Sequence, residues 1–178
     1  MAAGWACLSG TCLLAAKKEE ALLARFPLSF VQAAQETRAF LSCGRMAGVY
    51  RAFCRERGER PLAVAGKESG VFASLWRLSE ETGTGFDTDL LRIPILQETV
   101  EITDFFGINP YQAQSLGMML FLAGDGEALV RRLEAHGIRA EKIGSLSEDN
   151  DKCIRNGEER RSLELPVPDP LDGILERE

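Results

Sequence analysis

One histidine, two tryptophans and two tyrosines are all that 178 residues offer of those types. The histidine, His136, precedes Gly137 at the end of a helical run, where its charged form would favour the helix terminus. No Ser or Cys constellation accompanies it, so it reads as a helix-end residue rather than a catalytic base. Basic charge is also short: 21 Lys and Arg stand against 27 Asp and Glu, a formal net charge of -6. Such a chain gains little from counterion release, which argues against nucleic acid as a partner. No apolar run approaches the ~20 residues that span a bilayer. The first seventeen residues mix apolar and small types, but no Lys or Arg precedes them and Gly4, Ser9 and Gly10 interrupt them. A secretory leader is therefore not expected, and the expected compartment is the cytoplasm.

Phosphate-loop motifs are missing as well. There is no GxxxxGK[ST] and no GxGxxG, and Gly83-Thr84-Gly85 is short enough to be a turn. The five cysteines (Cys7, Cys12, Cys43, Cys54 and Cys153) are odd in number and fit no zinc spacing, so they read as reduced, mostly buried thiols with no metal. No internal repeat is present.

What remains is an ordinary folding composition, 45% hydrophobic and 27% charged, long enough for one domain with a sizeable core. Helices are expected over Leu13–Arg25, from Ser29 as N-cap, and over Arg45–Arg57, whose outer face carries Arg51, Arg55 and Arg57. That basic face, followed by Arg60, reads as a solvated surface more readily than an anion patch. Pro61–Gly66 reads as a buried strand, Ser69–Thr82 as an amphipathic helix closed by Gly83, and Phe86–Leu91 as a strand. Helix Gln97–Phe106, strand Met118–Ala123, helix Gly126–His136 capped by Asp125, and strand Arg139–Leu146 follow. Asn156-Gly157 signals a type I′ hairpin between Lys152–Arg155 and Glu158–Leu163. Three prolines, Pro166, Pro168 and Pro170, predict an extended tail over 166–178. Strands alternating with helices argue for an α/β or α+β sheet with packed helices.

Three glycine-bearing loops are candidate ligand cradles: Gly4–Thr11, Gly66–Gly70 and Ser115–Gly117. Free amides at a helix start attract anions, and glycine admits close approach to the backbone. The competing reading is three ordinary turns.

Motifs along nearly the whole chain then carry a resemblance. They include Trp5-Ala6-Cys7-Leu8-Ser9-Gly10-Thr11, Gly70-Val71-Phe72, Ile93-Pro94-Ile95, Gln97-Glu98-Thr99-Val100-Glu101 and Asn109-Pro110-Tyr111. The chain resembles the C-terminal domain of the AIR synthase-related superfamily, with the hydrogenase maturation factors of E type as its nearest branch. The resemblance implies an α+β fold: a three-layer α/β/α arrangement on a mixed sheet, partly ferredoxin-like, over residues 1–165. It also implies ATP and Mg as the family's cofactors and ATP-dependent ligase or dehydratase chemistry. The ATP-binding N-terminal domain is expected to be absent from this chain. Ligand contacts would fall on Gly10, Thr11, Glu68, Gly70, Ser115 and Gly117.

Departures from the family pattern cluster in those loops. Where the family reads His-Asp-x-x-Glu-Gly-Gly, this chain has Val64, Ala65, Glu68, Ser69 and Gly70 at the informative positions. Where it reads Ser-Gly-Gly or Ser-Ser-Gly and then Ser, this chain has Ser115-Leu116-Gly117-Met118, and the terminal cysteine of the maturation factors is replaced by Leu175-Glu176-Arg177-Glu178. Each lost polar group or glycine removes site stabilisation. The expectation is a pseudoenzyme without independent catalysis, binding a ligand or a partner chain, either a maturation partner or a separate N-terminal-domain polypeptide. The alternative is half of a split ATP-dependent enzyme.

Overall fold

A computed structural model describes residues 1–37, 43–67 and 69–176. The chain opens with strand β1 (Ala2–Ala3), then helices α1 (Leu8–Lys17), α2 (Glu19–Leu23), α3 (Leu28–Glu36) and α4 (Cys43–Arg57). Strand β2 (Leu62–Ala65) leads to α5 (Gly70–Thr82), β3 (Gly85–Asp89), α6 (Gln97–Phe105) and β4 (Met119–Leu122). Helix α7 (Gly126–Ala135), strands β5 (Glu141–Lys142), β6 (Gly144–Ser147), β7 (Lys152–Asn156) and β8 (Glu159–Ser162), and helix α8 (Pro170–Leu175) complete the order.

The strands form two sheets. The first, ordered β2-β4-β1-β5, is antiparallel throughout, with Ala2 opposite Phe121 and Ala63 opposite Phe121 on its other side. The second, β6-β3-β7-β8, is mixed: β3 runs parallel to β7 and antiparallel to β6. Side chains alternate across a strand, and β4 uses both of its faces. Met119 and Phe121 join Met46, Tyr50, Phe53, Leu129 and Leu133 beneath α4 and α7. Leu120 joins Val64, Phe72, Leu75, Phe86 and Ile154, a core shared by α5 and both sheets. A third cluster unites α1, α2, α3, α6 and α8 through Leu14, Leu22, Val31, Ile102 and Leu171. The layers are thus helices, antiparallel sheet, then α5 with the mixed sheet, an α+β architecture.

Local chemistry accounts for many of the boundaries. Asp125 accepts the Ala128 amide at 2.9 Å and caps α7, while His136 ends that helix with its Nδ1 2.8 Å from the Arg132 carbonyl. Gly83 closes α5 at φ 66°, a conformation that glycine adopts without steric cost. On the basic outer face of α4, Arg57 stacks on Phe53 and reaches Asp125, whereas Arg51 and Arg55 are exposed.

Four expectations are corrected. The helix anticipated over Leu13–Arg25 begins five residues earlier and breaks at Lys18 (φ -121°) into α1 and α2. Tertiary hydrogen bonds hold the Ser9-Gly10 turn in place despite its poor propensity. Pro27, not Ser29, is the N-cap of α3. The single strand anticipated over Arg139–Leu146 is two strands in different sheets, split at Ile143. That fully buried residue donates to the Met1 carbonyl at 3.0 Å and accepts from the Asp89 amide at 2.8 Å. At the hairpin, Asn156 pairs with Glu159, so Gly157 (φ 63°) and Glu158 are the central residues. Only the first has positive φ, which matches type II′ rather than I′.

The tail is a further correction. Within the stretch anticipated as extended over 166–178, Pro170–Leu175 folds into α8, with Asp169 as N-cap accepting the Leu171 amide at 3.0 Å. Proline at N1 suits a helix start because its missing N–H has no intrahelical partner there.

Candidate functional site

The fold brings the three glycine-bearing loops to one place. The Cys7 amide donates to Ser115 Oγ at 3.0 Å, and the Gly10 amide and Ser9 hydroxyl both reach the Gln114 carbonyl at 3.2 Å. The Ser115 amide donates to the Lys67 carbonyl at 3.0 Å, and Gly66 donates to the Met118 carbonyl at 2.9 Å. Gly10 and Thr11 lie within the first turns of α1, Gly70 opens α5, and Ser115 and Gly117 form the turn before β4. Glu68, the sixth candidate, lies outside the described residues.

The loops meet without leaving a hollow at their glycines. A Cβ on Gly66 would stand 2.1 Å from the Ser115 carbonyl oxygen. On Gly70 it would stand 2.5 Å from the Tyr111 carbonyl oxygen and 2.6 Å from that of Ala113, and on Gly10 it would be 2.9 Å from Cys7 Sγ. These glycines admit neighbouring backbone, not a ligand. The candidate polar side chains are spent internally too. Thr11 is fully buried, its hydroxyl 2.9 Å from the Cys7 carbonyl and 2.7 Å from Thr99 Oγ1. Ser115 is equally buried, and its hydroxyl also donates to the Ala113 carbonyl at 3.1 Å.

The backbone there is strained. Cys7 (φ 55°) and Ser69 (φ 61°) are the non-glycine residues at positive φ among the described residues, and each is the N-cap of a helix in this cluster. An N-cap ordinarily sits in the extended region, and a left-handed side-chain residue costs of order 1 kcal/mol. Burial pushes the Cys7 thiol up to about 12, so it stays neutral. Val64, where the resemblance implies a histidine, is a core residue, and Ala65, where it implies an aspartate, is exposed with its carbonyl held by Arg77 at 2.8 Å.

Asp169 belongs to this cluster and was missed from sequence. It is 8% exposed, and its Oδ2 accepts the Ser69 amide at 3.3 Å while Oδ1 caps α8. Burial raises its pKa, partly offset by those amides. Leu171, 2% exposed, packs with Cys7, Leu14, Ile102 and Ala113, and its Cδ1 would lie 3.3 Å from a Cβ on Gly10. A cleft of about 50 Å³ remains beside Ser69, Phe72, Gln112 and Arg161, under residues 163–167. The signal for Asp169 was available in Asp169-Pro170-Leu171, an N-cap followed by proline at N1.

These residues do not fit a Mg·ATP site. Backbone carbonyls fill the glycine cradle, and no group of three His, Cys, Asp or Glu among the described residues could hold a metal ion. A larger open hollow of about 430 Å³ lies elsewhere, beside Met1, Gly126, Lys142 and Gly144, and none of the five described candidates lines it.

With this geometry in view, solved structures supply the comparison. HypE from E. coli superposes with a TM-score of 0.61 at 17% identity, covering 72% of this chain and 41% of HypE. Thiamine-monophosphate kinase from Stenotrophomonas maltophilia K279a gives 0.59 at 16%, covering 89% of this chain and 49% of the kinase. A HypE–HypF complex gives 0.55 at 18%, covering 59% and 36%. The chain therefore has the AIR synthase-related fold, the α+β architecture common to HypE and thiamine-monophosphate kinase. It spans less than half the length of these neighbours. No protein-family model and no curated protein matches the sequence. No helix among the described residues is long and apolar enough to cross a membrane.

Proposed function

We propose that this chain is a non-catalytic domain of the AIR synthase-related fold that binds a ligand or partner without transforming it. The observation that carries this reading is the closure of its loop cluster. Gly66 and Gly70 face carbonyl oxygens at distances that exclude a side chain, let alone a phosphate, and the Thr11 and Ser115 hydroxyls are already bonded to Cys7, Thr99 and Ala113. The left-handed Cys7 and Ser69 support descent from a ligand cradle, because such strain concentrates where a site demands it. Residual recognition of a phosphate or carboxylate by Gly10, Thr11, Glu68, Gly70, Ser115 and Gly117 would require these packed loops to open first. Mg·ATP incubated with the purified chain tests the proposal. Phosphate release at the buffer rate is expected, and sustained turnover by this chain alone would falsify it.

The share of its neighbours that the chain covers favours a second reading, half of a split ATP-dependent enzyme. A HypE–HypF complex among the structural neighbours makes a partner protein a reasonable search target. ATPase activity that appears only when a separate ATP-domain chain is added would select this reading over the first.

A further inference from the structure

We infer that residues 164–176 form a detachable strap that seals the loop cluster, pinned by Asp169 and Leu171. The strap crosses the cluster as an irregular run with Leu165 70% exposed and Val167 49% exposed, then buries Asp169 and Leu171, two residues apart, with Ile174 and Leu175 only partly buried against the cluster. Asp169 ties it to α5 through the Ser69 amide, and Leu171 plugs the space over Gly10 and Cys7. Helix α8 has six residues, too few to hold together without its anchors. Elements with few buried contacts open locally at less cost than the core does. With the strap in place, Cys7 is fully buried, and Leu171 belongs to the cluster around it. Open, the strap exposes the Cys7 thiol and the loop edges around Gly10, Ser69 and Gln114. The strap is a device of the fold in its own right; it rests on the reading above only for what the loops bind when it is off.

Cysteine alkylation followed by mass spectrometry tests this on the full chain. Cys54, buried beneath α4 and α7, and Cys153, buried in strand β7, report global unfolding, while the partly exposed Cys12 and Cys43 report reagent activity. Asp169→Ala and, separately, Leu171→Ala are expected to speed Cys7 labelling about tenfold or more with Cys54 and Cys153 unchanged. Cys7 labelling that stays at the wild-type rate, or rises only in step with Cys54, overturns the strap. Inorganic phosphate added to the wild-type chain separates the two readings. Faster Cys7 labelling means that an anion competes with Asp169. If the variants free Cys7 while phosphate leaves the wild-type rate unchanged, the strap stands and the ligand reading falls.

Discussion

The substitution Gly66→Ala probes the loop cluster at its tightest point. The added methyl carbon would sit 2.1 Å from the Ser115 carbonyl oxygen and 3.2 Å from Met118 Cβ. The obstacle is backbone, held by the Ser115 amide's bond to Lys67 and by the Met118 amide's bond to the Ser115 carbonyl at 3.1 Å, so no side-chain rotation relieves it. Overpacking a well-filled site costs about 1–3 kcal/mol, and a clash with backbone belongs at or above the top of that range. Alanine recovers about 0.4–1 kcal/mol by restricting the unfolded chain. The expected net loss is about 2–3 kcal/mol, or roughly 4–12 °C in melting temperature for a domain of this size. Gly48→Ala is the matched control, because that glycine lies exposed within α4 with nothing within 4 Å of the new Cβ. It should gain about 0.5–1 kcal/mol from helix propensity. Urea unfolding followed by circular dichroism measures both. Two identical changes of composition should move stability in opposite directions. A Gly66→Ala chain within about 0.5 kcal/mol of wild type, well inside the clash penalty, would refute the packed cradle.

Removing one hydroxyl by Thr99→Val strips the Thr11 side chain of its 2.7 Å partner and should cost about 1–2 kcal/mol in the same assay, with Thr99→Ser restoring most of it. Asp125 gives a pH signature. Its bond from the Ala128 amide, helped by Arg57 and Arg131, holds its pKa below the ordinary carboxylate value. The folded chain therefore binds that proton less readily than the unfolded one, and the cap's contribution is present above the unfolded pKa and lost as pH falls through the folded one. The melting-temperature gap between wild type and Asp125→Ala should be constant near pH 6–7 and close below about pH 4. A gap that widens on acidification contradicts the assignment.

Local signals were the legible part of this sequence. Asp125 before an amphipathic run, Gly83 after one, and a glycine between two polar strands each act within a few residues, and each helix or hairpin appears where its signal stands. Sheet membership was not legible. Arg139–Leu146 reads as one strand, and only contacts with Met1 and Asp89, distant in sequence, divide it at Ile143. The start of α1 was hidden for a related reason: Ser9 and Gly10 are weak helix formers, held helical by the Gln114 carbonyl. The resemblance brought together the loops carrying Gly10, Gly70 and Ser115, but not their closure. That depends on a carbonyl oxygen 2.1 Å from where a Gly66 Cβ would be, and on Asp169 arriving from the far end of the chain. Three prolines suggested an extended tail, whereas a capping aspartate before the last of them folds it back.

Native-state hydrogen exchange at the loop amides bears most directly on a cradle filled by its own chain. Cys7, Gly10, Gly66 and Ser115 each donate to an internal acceptor, respectively Ser115 Oγ and the carbonyls of Gln114, Met118 and Lys67. All four should exchange as slowly as amides of the central strand β4. Exchange at the rate of free surface loops, with protection gained only on adding phosphate or nucleotide, would mean an open site awaiting its ligand.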